Sequence, residues 1–108
     1  MALSTNTQTD SNGVTNRAVG KIVTDAAAAA AVTLALGFEP RYFKIVNLTD
    51  RISDEWFEGM ASASSLHSVA VGTLTLETVN GVAVSGKNVT LTAVTMVASK
   101  TYAWIAEA

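Results

Sequence analysis

Apolar and polar residues alternate through most of this chain, and the alternation is sharpest in four stretches. In "RYFKIVN", residues 41–47, Phe43 and Ile45 fall on one face of an extended strand and Tyr42, Lys44 and Val46 on the other, which makes Phe43 and Ile45 the stronger core candidates. "GTLTLET", residues 72–78, predicts Leu74 and Leu76 inward with Thr73, Thr75 and Glu77 outward. "NVTLTAV" repeats the pattern with Val89 and Leu91 inward. "TYAWIAE", residues 101–107, directs either Tyr102 and Trp104 or Ala103 and Ile105 to the core.

Turn chemistry divides these strands. Asn80-Gly81 is the strongest local signal, since both residues accept the positive φ angles of a type I′ hairpin. A two-residue loop there sets the apolar faces of the flanking strands at odds, so a bulge or a longer loop is expected. Ser85, Gly86 and Lys87 supply the next reversal, and 72–93 then reads as a three-stranded meander. The run "DAAAAAAVTLALGFEPR" carries two signals. Asp25 and the alanines favour a turn or two of helix at 26–31, whereas Val32, Leu34 and Leu36 alternate as in a strand. A short helix or a flat alanine link feeding a strand at 32–37 satisfies both, with Gly37 and Pro40 marking a turn.

About seven or eight short strands, with a turn roughly every ten residues, predict an all-β fold: a small antiparallel β-sandwich or jelly-roll-like barrel. At 108 residues the chain has room for one core. Residues 1–17 have hardly an apolar anchor, so the expected organisation is an extended polar N-terminal arm, 1–17, followed by a β-sandwich domain, 18–108. The arm is either a frayed end or a segment that orders on a neighbouring subunit, and the second reading makes Thr5, Gln8, Asp10 and Arg17 interface candidates.

Composition narrows the function. The net charge is −2 with seven scattered Lys and Arg, so there is no basic stripe to drive phosphate binding and no nucleic-acid partner is expected. With no cysteine, disulfides, thiolate metal sites and cysteine nucleophiles are all excluded. The opening residues are polar and do not resemble a signal peptide, and the longest apolar run, 26–38, is too short to span a bilayer as a helix. A soluble protein without a membrane partner is the expectation.

Acids and aromatics concentrate in "DRISDEWFEGM", residues 50–60. In a strand, Ile52, Asp54, Trp56 and Glu58 share one face, and Ser53, Glu55 and Phe57 the other. Asp54 and Glu58 have the spacing of a glycosidase carboxylate pair, but a small sandwich offers little cleft and acids at i and i+4 are common on exposed faces. The expectation is a solvated or interface-facing strand surface, with Asp54, Trp56 and Glu58 as interface candidates. A calcium site from Asp50, Asp54 and Glu58 lacks the glycine and alternation of a chelating loop. His67, the only histidine, sits in "SSLHSVA" without a nucleophile elbow and reads as a loop or strand-end residue. No catalytic residue, cofactor or metal is predicted.

"GFEPRYFKIVNLTDRISDEWFEGM", followed by "AVGTLTLET" and "VTMVASKTYAWIAEA", resembles small structural proteins of tailed bacteriophage virions, over about residues 37–108. The resemblance implies a non-enzymatic virion component, a head decoration or cement protein. Its partners would be the major capsid protein and itself, as dimer or trimer, and its place the head surface of a virion assembled in bacterial cytoplasm. The alternative from another class is a tail or receptor-contacting carbohydrate-binding module, with Tyr42, Trp56, Tyr102 or Trp104 as stacking platforms. An exposed, coplanar aromatic pair favours sugar, and burial of the tryptophans favours a scaffold.

Overall fold

The computed structural model describes residues 16–108 in full and, for residues 3–10, the course of the backbone. The described residues are all β, with nine strands: β1 (Leu3–Asp10), β2 (Arg17–Thr24), β3 (Val32–Ala35), β4 (Tyr42–Asn47), β5 (Ile52–Phe57), β6 (Ser64–Ser68), β7 (Leu74–Ser85), β8 (Asn88–Leu91) and β9 (Thr101–Glu107). Every pairing is antiparallel, and the strands form one curled sheet in the order β1-β2-β9-β4-β5-β6-β7-β8-β3. The expected all-β antiparallel fold is therefore present. The expectation of an arm over 1–17 falls partly outside the described residues. Within them, the backbone of β1 pairs with β2 along its length.

The concave side of the sheet holds the core. Ala18 and Ile22 of β2, Tyr102, Trp104 and Ala106 of β9, Phe43 and Ile45 of β4, and Trp56 of β5 meet Val32, Leu34, Val82, Val89 and Leu91 from the β3–β8–β7 end. Phe43 and Trp104 stack with ring centroids 5.8 Å apart. Burying each large side chain contributes about 1.5–3 kcal/mol. Phe43 with Ile45 and Val89 with Leu91 face inward as their alternation predicts. Of the two faces open to β9, that of Tyr102 and Trp104 is the buried one.

Three expectations are corrected. Leu74 and Leu76 are not core residues, being 60% and 62% exposed. They stand opposite Ser68 and Leu66, whose partners Ser53 and Glu55 lie on the face of β5 turned away from the core. Asn80-Gly81 does not reverse the chain. It lies within β7, where the register against β6 jumps between Ser64↔Val82 and Ser65↔Glu77, and this irregularity carries β7 from β6 to β8. Gly81 is needed there for room rather than for turn geometry, since a Cβ would fall 2.5 Å from the Ser64 carbonyl carbon and 2.7 Å from the Ser65 nitrogen. The three-stranded meander is thus a single hairpin, β7–β8, turned at Gly86 with φ +58°.

The alanine run forms no helix. Residues 26–31 are an irregular, largely exposed link, and β3 begins at Val32. Six alanines, five of them exposed, are too few to nucleate a helix without a surface to pack on.

Candidate functional site

The one buried charged side chain among the described residues lies on the concave face. Asp54, 4% exposed, stands in the same inward row as Trp56. Its Oδ1 accepts a hydrogen bond from the Ser65 hydroxyl at 2.8 Å and lies 2.9 Å from Nδ1 of His67. The β5–β6 register makes this meeting, because Asp54 is directly opposite His67 and Ser65 lies two residues before His67 on the same face. A carboxylate can only accept, so His67 donates from Nδ1 and presents Nε2 elsewhere. Ser65 is fully buried and gives its hydroxyl proton to Asp54, so Ser65 itself is not placed as a nucleophile activated by His67.

Asp54 and His67 form part of the wall of a cavity of about 250 Å³, together with Ile45, Asn47, Asp50 and Tyr102. The cavity exists because residues 92–100 are held across the concave face. Tyr102 donates its hydroxyl to the Thr95 carbonyl at 2.8 Å and accepts the Val97 amide at 2.9 Å. Thr24, 4% exposed, donates to the Val97 carbonyl at 2.7 Å and accepts the Lys100 amide at 2.9 Å. Burial pushes the Tyr102 phenol above its ordinary pKa, with a further push from the Asp50 charge and an opposing effect from the Val97 hydrogen bond.

At the cavity rim the β4–β5 turn is fixed by Asn47. Its Oδ1 accepts the amides of Thr49 and Asp50 at 3.0 and 2.9 Å, and its Nδ2 donates to Asp50 Oδ2 at 3.2 Å. Asp50 in turn pairs with Lys100 at 3.1 Å. Each of these polar groups satisfies another, so the network has the form of a strut between the turn and the 92–100 segment.

The sequence-predicted site residues do not converge. Asp54 and Trp56, expected on a solvated or interface-facing surface, are buried because their face of β5 is the concave one. Glu58 lies past the end of β5, exposed, and pairs with Arg41 at 3.2 Å, so the Asp54–Glu58 carboxylate pair does not exist as a unit. Asp50 is taken by Lys100 and Asn47, and no calcium cage forms from Asp50, Asp54 and Glu58. Arg17 opens β2, exposed, 3.6 Å from Glu107. Thr5, Gln8 and Asp10 lie on β1, and their side chains are outside the described residues. Ser65 and His67 were the residues missed. They reach Asp54 through strand pairing across 11 and 13 positions, which no local motif signals.

No family model, curated protein or solved structure matches this chain.

Proposed function

We propose that the chain is a non-enzymatic structural protein that works by binding other protein subunits, and that it is a virion decoration or cement protein seated on the outer surface of a bacteriophage head. The virion assignment rests on the sequence resemblance over residues 37–108. The binding role is supported by the apolar residues of β7 and the turn before it: Val71, Leu74, Leu76 and Val79 are 88%, 60%, 62% and 69% exposed. Such a concentration of exposed aliphatic side chains is characteristic of a surface that another protein covers. Self-association as a dimer or trimer belongs to the same reading, and the major capsid protein is the second partner.

Burial of the indoles weighs against the sugar-binding alternative. Trp56 and Trp104 are 7% and 3% exposed and Tyr102 fully buried, so none of them offers a stacking face. Tyr42 and Phe57 are the remaining aromatic pair, and their rings are inclined at 54°, unlike a coplanar platform.

The test is mass spectrometry of purified virions from a host strain that produces the chain. The expected result is the chain at a fixed stoichiometry to the major capsid protein, together with loss of thermal resistance in particles assembled without it. Its absence from particles would overturn the reading. The proposed role of residues 1–17 is contact with a neighbouring subunit, and deletion of residues 2–16 should lower retention on particles.

A further inference from the structure

The cavity beneath residues 92–100 is rich in hydrogen-bond acceptors and poor in free donors. Its side-chain donors are mostly engaged within the protein: Asn47 Nδ2 donates to Asp50, the Thr95 hydroxyl to the Asn80 carbonyl, and the Tyr102 hydroxyl to the Thr95 carbonyl. The acceptors are open. Asp54 takes the bonds from Ser65 and His67 on Oδ1 alone, so Oδ2 of this buried carboxylate has no partner among the described residues. His67, with its Nδ1 proton on Asp54, has Nε2 left as an acceptor. Glu77 enters the wall from β7 and accepts the Thr78 amide on Oε2, which leaves Oε1. Asp50 is neutralised by Lys100. No lysine or arginine lines the cavity, and Asp54 and Glu77 therefore leave it negative.

We propose that this cavity is a binding site for a guanidinium group on a short aliphatic stem. A buried carboxylate oxygen without a donor is costly, and a cleft lined by one sign of charge concentrates ligands of the other. Water can fill the hydrogen bonds but leaves the charge. Among the described residues no group of three or more His, Cys, Asp or Glu side chains could hold a metal ion, so the acceptors do not converge on one point. A guanidinium suits separated acceptors, because its five N–H donors fan out in a plane and its charge is permanent. Ile45, Ile52 and Val97 supply apolar wall for the stem. At about 250 Å³ the cavity is below the roughly 300–1,000 Å³ of sites for drug-sized ligands, which limits the occupant to a group of this size. The cation can arrive as a free small molecule or as the end of an arginine side chain of another protein. The inference goes beyond the virion reading and does not depend on it.

Amide NMR spectra of the isotope-labelled full chain, titrated with n-butylguanidinium, test it. The expected result is a saturable shift confined to the cavity residues, with a Kd on the order of 1 mM, and movement of the His67 Nε2 signal as it accepts a hydrogen bond. The neutral isostere n-butylurea should bind about tenfold more weakly or not at all. Glu77→Gln and Asp54→Asn should each weaken n-butylguanidinium by about fivefold or more, whereas Glu58→Gln, which removes an acid remote from the cavity, should leave it unchanged. Glu77 makes its printed contact only with the adjacent Thr78 amide, so Glu77→Gln serves if Asp54→Asn fails to fold. Arginine blocked at both ends separates the sources: binding equal to that of n-butylguanidinium points to a protein side chain, and binding of n-butylguanidinium alone points to a small molecule. No saturable shift at the cavity, n-butylurea binding as tightly as n-butylguanidinium, or Glu77→Gln binding as well as the wild type overturns the proposal. None of these outcomes bears on whether the chain is found in virions.

Discussion

The Tyr102 hydroxyl reaches from strand β9 to the carbonyl of Thr95 at 2.8 Å, and so fastens the 92–100 segment over the cavity. The same oxygen accepts the Val97 amide at 2.9 Å. Tyr102→Phe preserves the ring in the core but leaves both backbone groups without their partner. The expected loss is about 1–3 kcal/mol of unfolding free energy, measured by urea denaturation, with the β signal in circular dichroism retained.

Alkaline pH should destabilise the fold through its phenols. On the outer face, Tyr42 is pushed up to about 12, chiefly by desolvation, with further contributions from its hydrogen bond to Glu55 and the charges of Glu55 and Glu107. Tyr102 is also raised. A phenol whose folded pKa exceeds its unfolded value near 10 contributes fully below pH 10, and that contribution is lost as pH rises through the folded pKa. Stability should therefore fall between about pH 10 and 12. Tyrosinate absorbance at 295 nm should titrate above 10 in the folded protein, and Tyr42→Phe should remove one of the two transitions.

Gly81 and Gly86 should respond differently to alanine. At Gly86 the obstacle is a positive φ of 58° with open space around it, and the expected cost is about 1–2 kcal/mol. At Gly81 a methyl group collides with the backbone of residues 63–65, which cannot yield without breaking the Gly81 N–H to Ala63 carbonyl hydrogen bond of 2.9 Å. Gly81→Ala should cost more than Gly86→Ala, about 3 kcal/mol or above, by thermal or chemical denaturation.

Asp54 separates two accounts of the buried polar network. Asp54→Asn retains an acceptor for Ser65 and His67, whereas Asp54→Ala leaves the fully buried Ser65 hydroxyl without a partner. Denaturation should show Asp54→Ala to be about 1–3 kcal/mol less stable than Asp54→Asn. An alanine variant as stable as the wild type would mean that the carboxylate does not hold the fold, as happens where buried charge carries a large desolvation cost.

Legibility from the sequence followed the physics of each signal. Strands with one apolar face, such as those of Phe43 and Val89, were readable because alternation there has one solution. Alternation carries no sign, however, and at Leu74 and Leu76 the apolar side is the outer one. Asn80-Gly81 has the local chemistry of a hairpin, yet Gly81 serves the close approach of β7 to Ser64, a tertiary demand that overrides turn propensity. The alanine run was ambiguous because helix propensity over six residues is weaker than the pull of the strand that follows. The Asp54–Ser65–His67 cluster was not legible at all, since its members meet only through the β5–β6 register.

Strand β9 follows all the others in sequence but occupies the sheet between β2 and β4. During synthesis, then, β2 and β4 have no shared neighbour until residues 101–107 have been made. The β1–β2 ribbon must wait, tethered by the 25–31 link, with the apolar side of Ile22 uncovered. Pairings this distant along the chain make for slow folding, and the waiting ribbon leaves apolar surface and an unpaired strand edge open to other chains in the meantime.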